Sequence, residues 1–395
     1  MPKRSIRNLE LNGKRVFVRV DFNIPINNKI VGDDTRIKTS LPTLRYALER
    51  GATVILGSHL GRPKGKHQVE LSLEPVAKHL STLLRKSVRF AHDCIGKPAH
   101  DAIEQAHPGE VVMLENLRFH AEEERNEEGF SVALAELADI YINDAFSVAH
   151  RTHSSTVGIV KHFGEAGIGL LMSSELEHLE TMFTSPERPY VAVLGGAKIS
   201  GKLEVIEHLL DYVDTLLIGG AMAYTFLKTK NLPIGRSLIE TELLDAAVHI
   251  TNKAKAQNVS LVLPTDHVVA DRLEAGSPYE TLAVTNPDID NRIGTDIGPV
   301  TAASYGSIIE LAKKVIWNGP MGVFEIEEFA GGTMTIANAV AMCPGKTLVG
   351  GGDSLAAAHK ATIIDRITHI STGGGASLEF LGGCTLPGIA VLPNK

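Results

Sequence analysis

Short runs of Val, Ile, Leu and Tyr alternate along the chain with longer stretches of helix formers, an alternation that predicts βαβ units and parallel sheets. In RVFVRVDFN, Val16, Val18, Val20 and Phe22 alternate with Arg15, Arg19 and Asp21, as they do in a strand, and the run ends at Asp21 and Asn23. ATVILGSHLGRP, EVVMLENLRF and ADIYINDAFSVAHRTH repeat the theme, each an apolar run followed by a polar, often basic loop. Helices are predicted between them over residues 41–50, 73–85 and 129–138. Farther on, Met172, Leu176, Leu179 and Phe183 share a face at helical spacing until TSPERP breaks the pattern. Two readings stay open for that stretch: a helix and linker connecting two domains, or a core helix inside one.

The second half uses the same grammar but ends its strands in glycine: PYVAVLGG, DTLLIGGAMA, VSLVLPTD, KKVIWNGPMG, KTLVGGGD and THISTGGGAS. KTLVGGGDSLAAAHK shows what such a turn offers. Thr347, Leu348 and Val349 suit a buried strand, the segment from Ser354 to Lys360 suits a helix, and Gly350, Gly351 and Gly352 form the turn. A glycine-lined helix N-terminus presents free N–H groups and a positive dipole end, which suits phosphate. Asp353 would then be an anion beside anions, an arrangement that makes sense with Mg²⁺ between them. The alternative is a helix capped by Asp353 or Ser354, with glycines serving only tight packing. In GGAKISGKL, Gly196, Gly201 and Lys202 match GxxxxGK, but Leu203 stands where a P-loop needs Ser or Thr for Mg²⁺. Lys198 and Lys202 remain as point charges at the start of the helix LEVIEHLL.

Ligands of parallel sheets bind beyond the carboxyl ends of the strands, which gathers Asp21, Asn23, His59, Arg62, Arg118, His150, Arg151 and His153 at one edge, with Arg36 of GDDTRI able to join. A single arginine there is more often a surface or ion-pair residue; the set suits a small ligand carrying phosphate or carboxylate. The 395 residues suggest two domains, and the formal net charge of −7 argues against a general nucleic-acid binder. The N-terminus lacks the apolar core of a signal peptide and no apolar run is long enough to span a bilayer, so a soluble cytoplasmic protein is expected. Cys94, Cys343 and Cys384 are far apart and show no paired ligand spacing, which indicates neither a disulfide framework nor a zinc site. Signatures of protein kinases, serine hydrolases, zinc proteases and GxGxxG dinucleotide sites do not occur.

RVDFNIP, DDTRI, GSHLGRP, LSLEPVA, LENLRF, NDAFSVAHRTHSS, GGAKISGKL, IGGAMA, NGPMGVFE, GGGDS and STGGGAS together, in this order and nearly end to end, resemble the phosphoglycerate kinase family. The resemblance implies an α/β fold of two Rossmann-like domains with parallel sheets, joined by a connecting helix and hinge. It divides the chain into a phosphoglycerate-binding domain over 1–170, a connecting helix and linker over 171–188, a nucleotide-binding domain over 189–375, and a segment over 376–395 that returns to the first domain. The implied activity is reversible, Mg²⁺-dependent phosphoryl transfer between 1,3-bisphosphoglycerate and ADP, by a monomer and after hinge closure.

Carried over by motif, the resemblance assigns Asp21, Phe22, Asn23, Arg36, His59, Leu60, Gly61, Arg62, Arg118 and Arg151 to phosphoglycerate. It assigns Lys202, Gly219, Gly220, Asn318, Pro320, Glu325, Gly351, Gly352, Asp353 and Ser354 to the nucleotide, with Asp353 directed at Mg²⁺. Arg36, Lys198, Lys202 and the helix end at Gly373, Gly374 and Gly375 are expected to act on the transferred group, Arg36 as the transition-state clamp. The acceptor is a carboxylate already ionised near neutral pH, so no general base is expected. The chain departs from the family pattern at Ser147 and Val148, at Gly331 and at Cys384, all expected to lie outside the chemistry. A two-domain dehydrogenase and an inactive family member acting as a binding protein are the competing readings.

Overall fold

The computed structural model describes residues 2–395. The chain forms two compact units, one of Met1–Glu177 with Thr385–Lys395 and the other of His178–Cys384. The division falls inside the helix Leu170–Thr184, so this helix belongs to both units and is not a separate linker over 171–188. The returning segment begins at Thr385 and not at 376, because residues 376–384 are anchored in the second unit. There the helix Gly375–Leu381 meets the helix Leu203–Leu209, and His208 Nδ1 lies 2.8 Å from the Leu381 carbonyl oxygen. The last residues are tied into the first unit: Asn143 donates to the Gly388 carbonyl (3.1 Å), Gly388 N–H to Ala149 (2.8 Å) and Arg4 N–H to Pro393 (3.0 Å).

The first unit is built on a six-stranded parallel sheet in the order Val88–Ala91, Val111–Leu114, Thr53–Gly57, Arg15–Arg19, Ile140–Asn143, Ala166–Ile168. Val16 sits opposite both Val54 and Ile140, and from Val16 to Arg19 no residue of the central strand reaches solvent. Both faces of this strand are therefore covered, as in other parallel sheets, Arg19 included. Ile37, Leu44 and Leu48 of the helix Thr35–Glu49 bury one stripe against this sheet's core, each Leu contributing about 1.5–3 kcal/mol.

The second unit has a six-stranded parallel sheet in the order Ser260–Val262, Thr215–Ile218, Tyr190–Leu194, Lys314–Asn318, Lys346–Gly350, His369–Ser371. Beside it lies an antiparallel sheet of Tyr279–Ala283, Asp266–Ala270 and Ile293–Ile297, which the sequence pattern did not predict. Tyr279–Ala283 is an exposed edge strand with no apolar run to read, and Ile293–Ile297 is interrupted by Gly294 and Asp296. In each parallel sheet the first strand lies inside, with later strands on both sides of it. That leaves a crevice beyond the carboxyl ends of Arg15–Arg19 and Ile140–Asn143 in one unit, and of Tyr190–Leu194 and Lys314–Asn318 in the other. Among the described residues, no helix is long and apolar enough to cross a membrane.

Candidate functional site

Beyond the central strand of the first unit the chain turns at Asp21 and Asn23, and buried polar groups close around them. Arg19, fully buried, donates to Ser155 Oγ (2.8 Å) and to the Val20 carbonyl, and lies 3.2 Å from His59 Nδ1. The Ser155 hydroxyl donates a hydrogen bond to the buried carboxylate of Glu123 (2.6 Å), which also accepts the Ser155 N–H at 2.9 Å. Burial raises the Glu123 pKa and the Arg19 guanidinium opposes that rise. Burial, with the positive charges of Arg19, Arg118 and Arg36, holds the His59 pKa well below its ordinary value, so its imidazole is neutral at pH 7. A buried cation is tolerated when its donors are satisfied and an anion is near, which the Arg19–Ser155–Glu123 chain provides.

Asp21 collects three donors: Arg36, the Ser147 hydroxyl, and the Asn23 N–H at 3.0 Å. Ser147, a departure from the family pattern expected to lie outside the chemistry, therefore touches Asp21 directly. Asn23 Oδ1 accepts from Gly61 N–H (2.9 Å), and Asn116 fastens the preceding residue, accepting from Leu60 N–H and donating to the Leu60 carbonyl. Arg118 is almost buried, donates to the Gly61 carbonyl (2.9 Å) and lies 3.4 Å from Glu124; burial and Arg19 bring its pKa down to about 10. Arg62 is exposed and Arg151 half-buried, and neither side chain makes a hydrogen bond or ion pair among the described residues. Phe22 points into the core, leaving its backbone N–H, bound to Ser58 Oγ, as its polar contact here. Sequence reasoning missed Arg19, Asn116, Glu123 and Ser155. Arg19 was visible only as a charge in an otherwise apolar strand.

The edge of the second unit is built mostly from backbone. The Lys202 ammonium donates to the carbonyls of Gly195 (2.7 Å) and Asn318 (2.8 Å), the two chain ends that flank the crevice. Burial lowers its pKa to about 8, with the negative charge of Asp353 acting against the shift. Lys198 is exposed beside it, on a loop pinned by Glu240, whose carboxylate accepts the N–H groups of Ile199 (2.6 Å) and Ser200 (3.1 Å). Glu240, too, carried no signal in the sequence.

Asp353 is the second residue of the helix Gly352–Lys360, whose cap is Gly351 with no side-chain hydrogen bond, and Ser354 instead accepts the Gly319 N–H at 2.6 Å. Neither residue caps the helix. Among the described residues the exposed Asp353 carboxylate has no hydrogen bond or ion pair, and it borders two cavities. One, of about 280 Å³ and mostly apolar, is lined by Gly220, Tyr224, Pro320, Met321 and Glu325 among others. The other, of about 380 Å³, is lined by Lys198, Lys202, Asn318, Gly351, Gly374 and their neighbours.

The glycines divide between the two roles read from the sequence. A Cβ on Gly220 would fall 2.5 Å from Gly196 N, and one on Gly319 would fall 2.3 Å from the Gly195 carbonyl oxygen, so these positions serve the close crossing of two turns. Gly219, behind them, is filled by the Met321 sulfur. At Gly352 and Gly374 a Cβ would meet nothing within 4 Å, and both border the second cavity, as Gly375 does. Gly373 donates its N–H to Ser371 Oγ at 3.2 Å.

Two doubly wound parallel units, one with an arginine-rich edge and the other with a lysine, a free carboxylate and open glycine turns, define a phosphate-handling α/β enzyme. The Phosphoglycerate kinase family model matches residues 6–384. A phosphoglycerate kinase of Moorella thermoacetica is 51% identical over 395 residues, covering 100% of both chains, and one of Solibacter usitatus is 53% identical with 98% of each covered. Among solved structures, phosphoglycerate kinase from Coxiella burnetii superposes with a TM-score of 0.91 at 42% identity, covering 99% of this chain and 98% of that one. The enzyme from Pyrococcus horikoshii OT3 gives 0.85 at 35% identity over 99% and 98%. The chain belongs to the phosphoglycerate kinase family, and its activity is the phosphoryl transfer of glycolysis. The dehydrogenase reading is not favoured.

Proposed function

We propose that the first unit holds 3-phosphoglycerate or 1,3-bisphosphoglycerate, that the second holds ADP or ATP with Mg²⁺, and that a hinge closes to allow in-line transfer. The observation that carries this reading is the pairing of Lys202, seated on the two strand ends of the switch point, with the unpartnered carboxylate of Asp353. Asp353 suits Mg²⁺ because an exposed carboxylate without competing donors is what that ion takes from a protein when phosphates supply other ligands. Bound there, the ion would neutralise phosphate charge during transfer. The apolar cavity beside Tyr224 and Met321 suits a base, and Glu325 at its rim suits ribose hydroxyls. Gly219 supports that wall from behind and Gly220 and Pro320 shape it, whereas Asn318, Gly351, Gly352 and Ser354 line the second cavity, which suits the phosphates.

On the first unit, Arg62 and Arg151 have free guanidinium groups for phosphate, and Asp21 and Asn23 suit the glycerate. His59, neutral and wedged beside Arg19, acts by positioning and not as a base; the acceptor carboxylate is already ionised. What remains is to hold two anions in line and spread the charge of the moving group, the task given to Arg36, Lys198, Lys202 and the turn at Gly373, Gly374 and Gly375. The enzyme is proposed to be a cytoplasmic monomer. The direct test is a coupled assay of ATP formation from ADP and 1,3-bisphosphoglycerate with and without Mg²⁺. Turnover that requires the metal is expected; no ATP, or equal rates without Mg²⁺, would refute the assignment.

A further inference from the structure

Away from both edges, the first unit brings three different metal-binding donors together. Asp93 and Cys94 follow the strand Val88–Ala91, His120 precedes the helix Ala121–Arg125, and one ligand atom from each lies within 4.8 Å of the other two. His120 Nε2 is 2.7 Å from Asp93 Oδ1, and Phe130 packs on the imidazole with ring centroids 5.3 Å apart. Ligand atoms around a tetrahedral zinc ion are about 3.3–3.7 Å apart, given bonds of about 2.0–2.3 Å. Movements of about 1 Å, which part the Asp93–His120 hydrogen bond and bring the sulfur nearer, would therefore fit the trio to an ion. Asp93 and His120 keep 40% and 27% of their side chains exposed, which leaves a way in from solvent, while the Cys94 sulfur is fully buried.

The donor set is mixed, a carboxylate, a thiol and an imidazole from two separate loops, with its Asp93–His120 side open to solvent and its sulfur enclosed. Coordination of a divalent ion there would release the Cys94 thiol proton to solvent and leave the sulfur as a thiolate ligand.

We propose that Asp93, Cys94 and His120 form a binding site for a borderline-soft divalent ion of the zinc class, with three protein ligands and one open position. Occupancy would pin the loop after Val88–Ala91 to the residue that follows the turn Leu117–Phe119, and so stiffen the backbone that carries Arg118.

The test uses Co²⁺ as a spectroscopic probe on the full chain carrying Cys343→Ser and Cys384→Ser, so that one thiol remains. One Co²⁺ per chain is expected, with a near-ultraviolet thiolate-to-cobalt band that Zn²⁺ displaces and that Cys94→Ser abolishes. Absence of the band, or its survival in Cys94→Ser, overturns the proposal. Because Cys94 is buried and its replacement could unfold the unit, His120→Gln at a partly exposed position gives a second reading. It should weaken Co²⁺ binding about tenfold or more with Cys94 intact, and an unchanged affinity would refute the site.

Discussion

Under the proposed function, the two sheet edges solve the same physical problem, holding a polyanion, with opposite materials. In the first unit the edge is made of side chains. Arg19, Arg118, His59, Glu123 and Asp21 are buried and each is held by hydrogen bonds, so charge positions are fixed by packing before any ligand arrives. In the second unit the edge is made of backbone, with crossing glycine turns, carbonyls under Lys202, and a lone carboxylate at Asp353. A preorganised side-chain network favours one rigid small ligand, because unmatched buried groups make any other arrangement expensive. A backbone edge with few fixed charges suits a ligand that brings its own metal and is read mainly by shape and dipoles. Substitutions should therefore act sharply and locally on the first edge, and on the second through phosphate charge and the metal.

The largest effect is expected at Arg36, which in the first unit is held by Asp21. Arg36→Ala should lower turnover by roughly three orders of magnitude or more, the scale of an arginine finger, while ATP affinity stays nearly unchanged. Steady-state kinetics with a parallel nucleotide-binding measurement would decide it. Loss confined to phosphoglycerate affinity would make Arg36 a ground-state binder and weaken the contrast between the edges.

Next comes Lys202, the one fixed cation near the second switch point with a shifted pKa. Lys202→Met should cost turnover about two orders of magnitude, the range for removing one donor to developing charge. The ammonium form is the useful one, and burial lowers its pKa to about 8. kcat/KM for the nucleotide should therefore hold below that pH and fall as pH rises through it. Lys202→Arg, whose charge persists above pH 12, should lose that alkaline limb whatever its rate. An alkaline limb that survives in Lys202→Arg would assign it to another group.

Asp353 tests the role of the metal. Asp353→Asn should weaken nucleotide binding by about 10- to 100-fold when Mg²⁺ is present, from the loss of a charged contact worth about 1.5–3 kcal/mol. Without Mg²⁺ the change should be small or even favourable, since an anion facing phosphates has been removed. Calorimetric titrations with and without the metal separate the outcomes. An equal fall in both would make the residue a structural part of its helix.

What the sequence revealed follows the same division. Strands such as Thr53–Gly57 and Lys314–Asn318 were legible because buried parallel strands leave unbroken apolar runs, and the loops after them carried the site residues by topology alone. Arg19 was not legible: in an alternating strand it reads as the wet face, and only the second layer covering the sheet reveals it as buried. The antiparallel sheet was missed because Tyr279–Ala283 is exposed at nearly every position. The glycine turns were ambiguous in principle, since Gly220 serves packing and Gly352 faces open space with the same local spelling. The cluster of Asp93, Cys94 and His120 is a tertiary coincidence of separate loops, invisible to any rule of ligand spacing.

The smallest effect, and the finest test of the comparison, concerns Ser147. Its hydroxyl donates to the Asp21 carboxylate, which also accepts from Arg36 and from the Asn23 N–H. Removing it leaves each Asp21 oxygen with a donor, Arg36 on Oδ2 and the Asn23 N–H on Oδ1, so no buried acceptor is orphaned and the cost is that of one ordinary hydrogen bond, about 0.5–1.5 kcal/mol. Ser147→Ala removes only the hydroxyl, whereas Ser147→Gly also loosens the short turn Phe146–Val148. Both should raise KM for 3-phosphoglycerate by about two- to tenfold, from the altered hold on Asp21 and Arg36, with kcat within about twofold and KM for ATP unmoved. If Ser147→Gly alone acted and Ser147→Ala did not, the backbone of the turn would matter and the hydroxyl would not. If neither acted, Asp21 would owe its position to Arg36 and the Asn23 N–H alone, and the first edge would be less tightly built from side chains than its hydrogen bonds indicate.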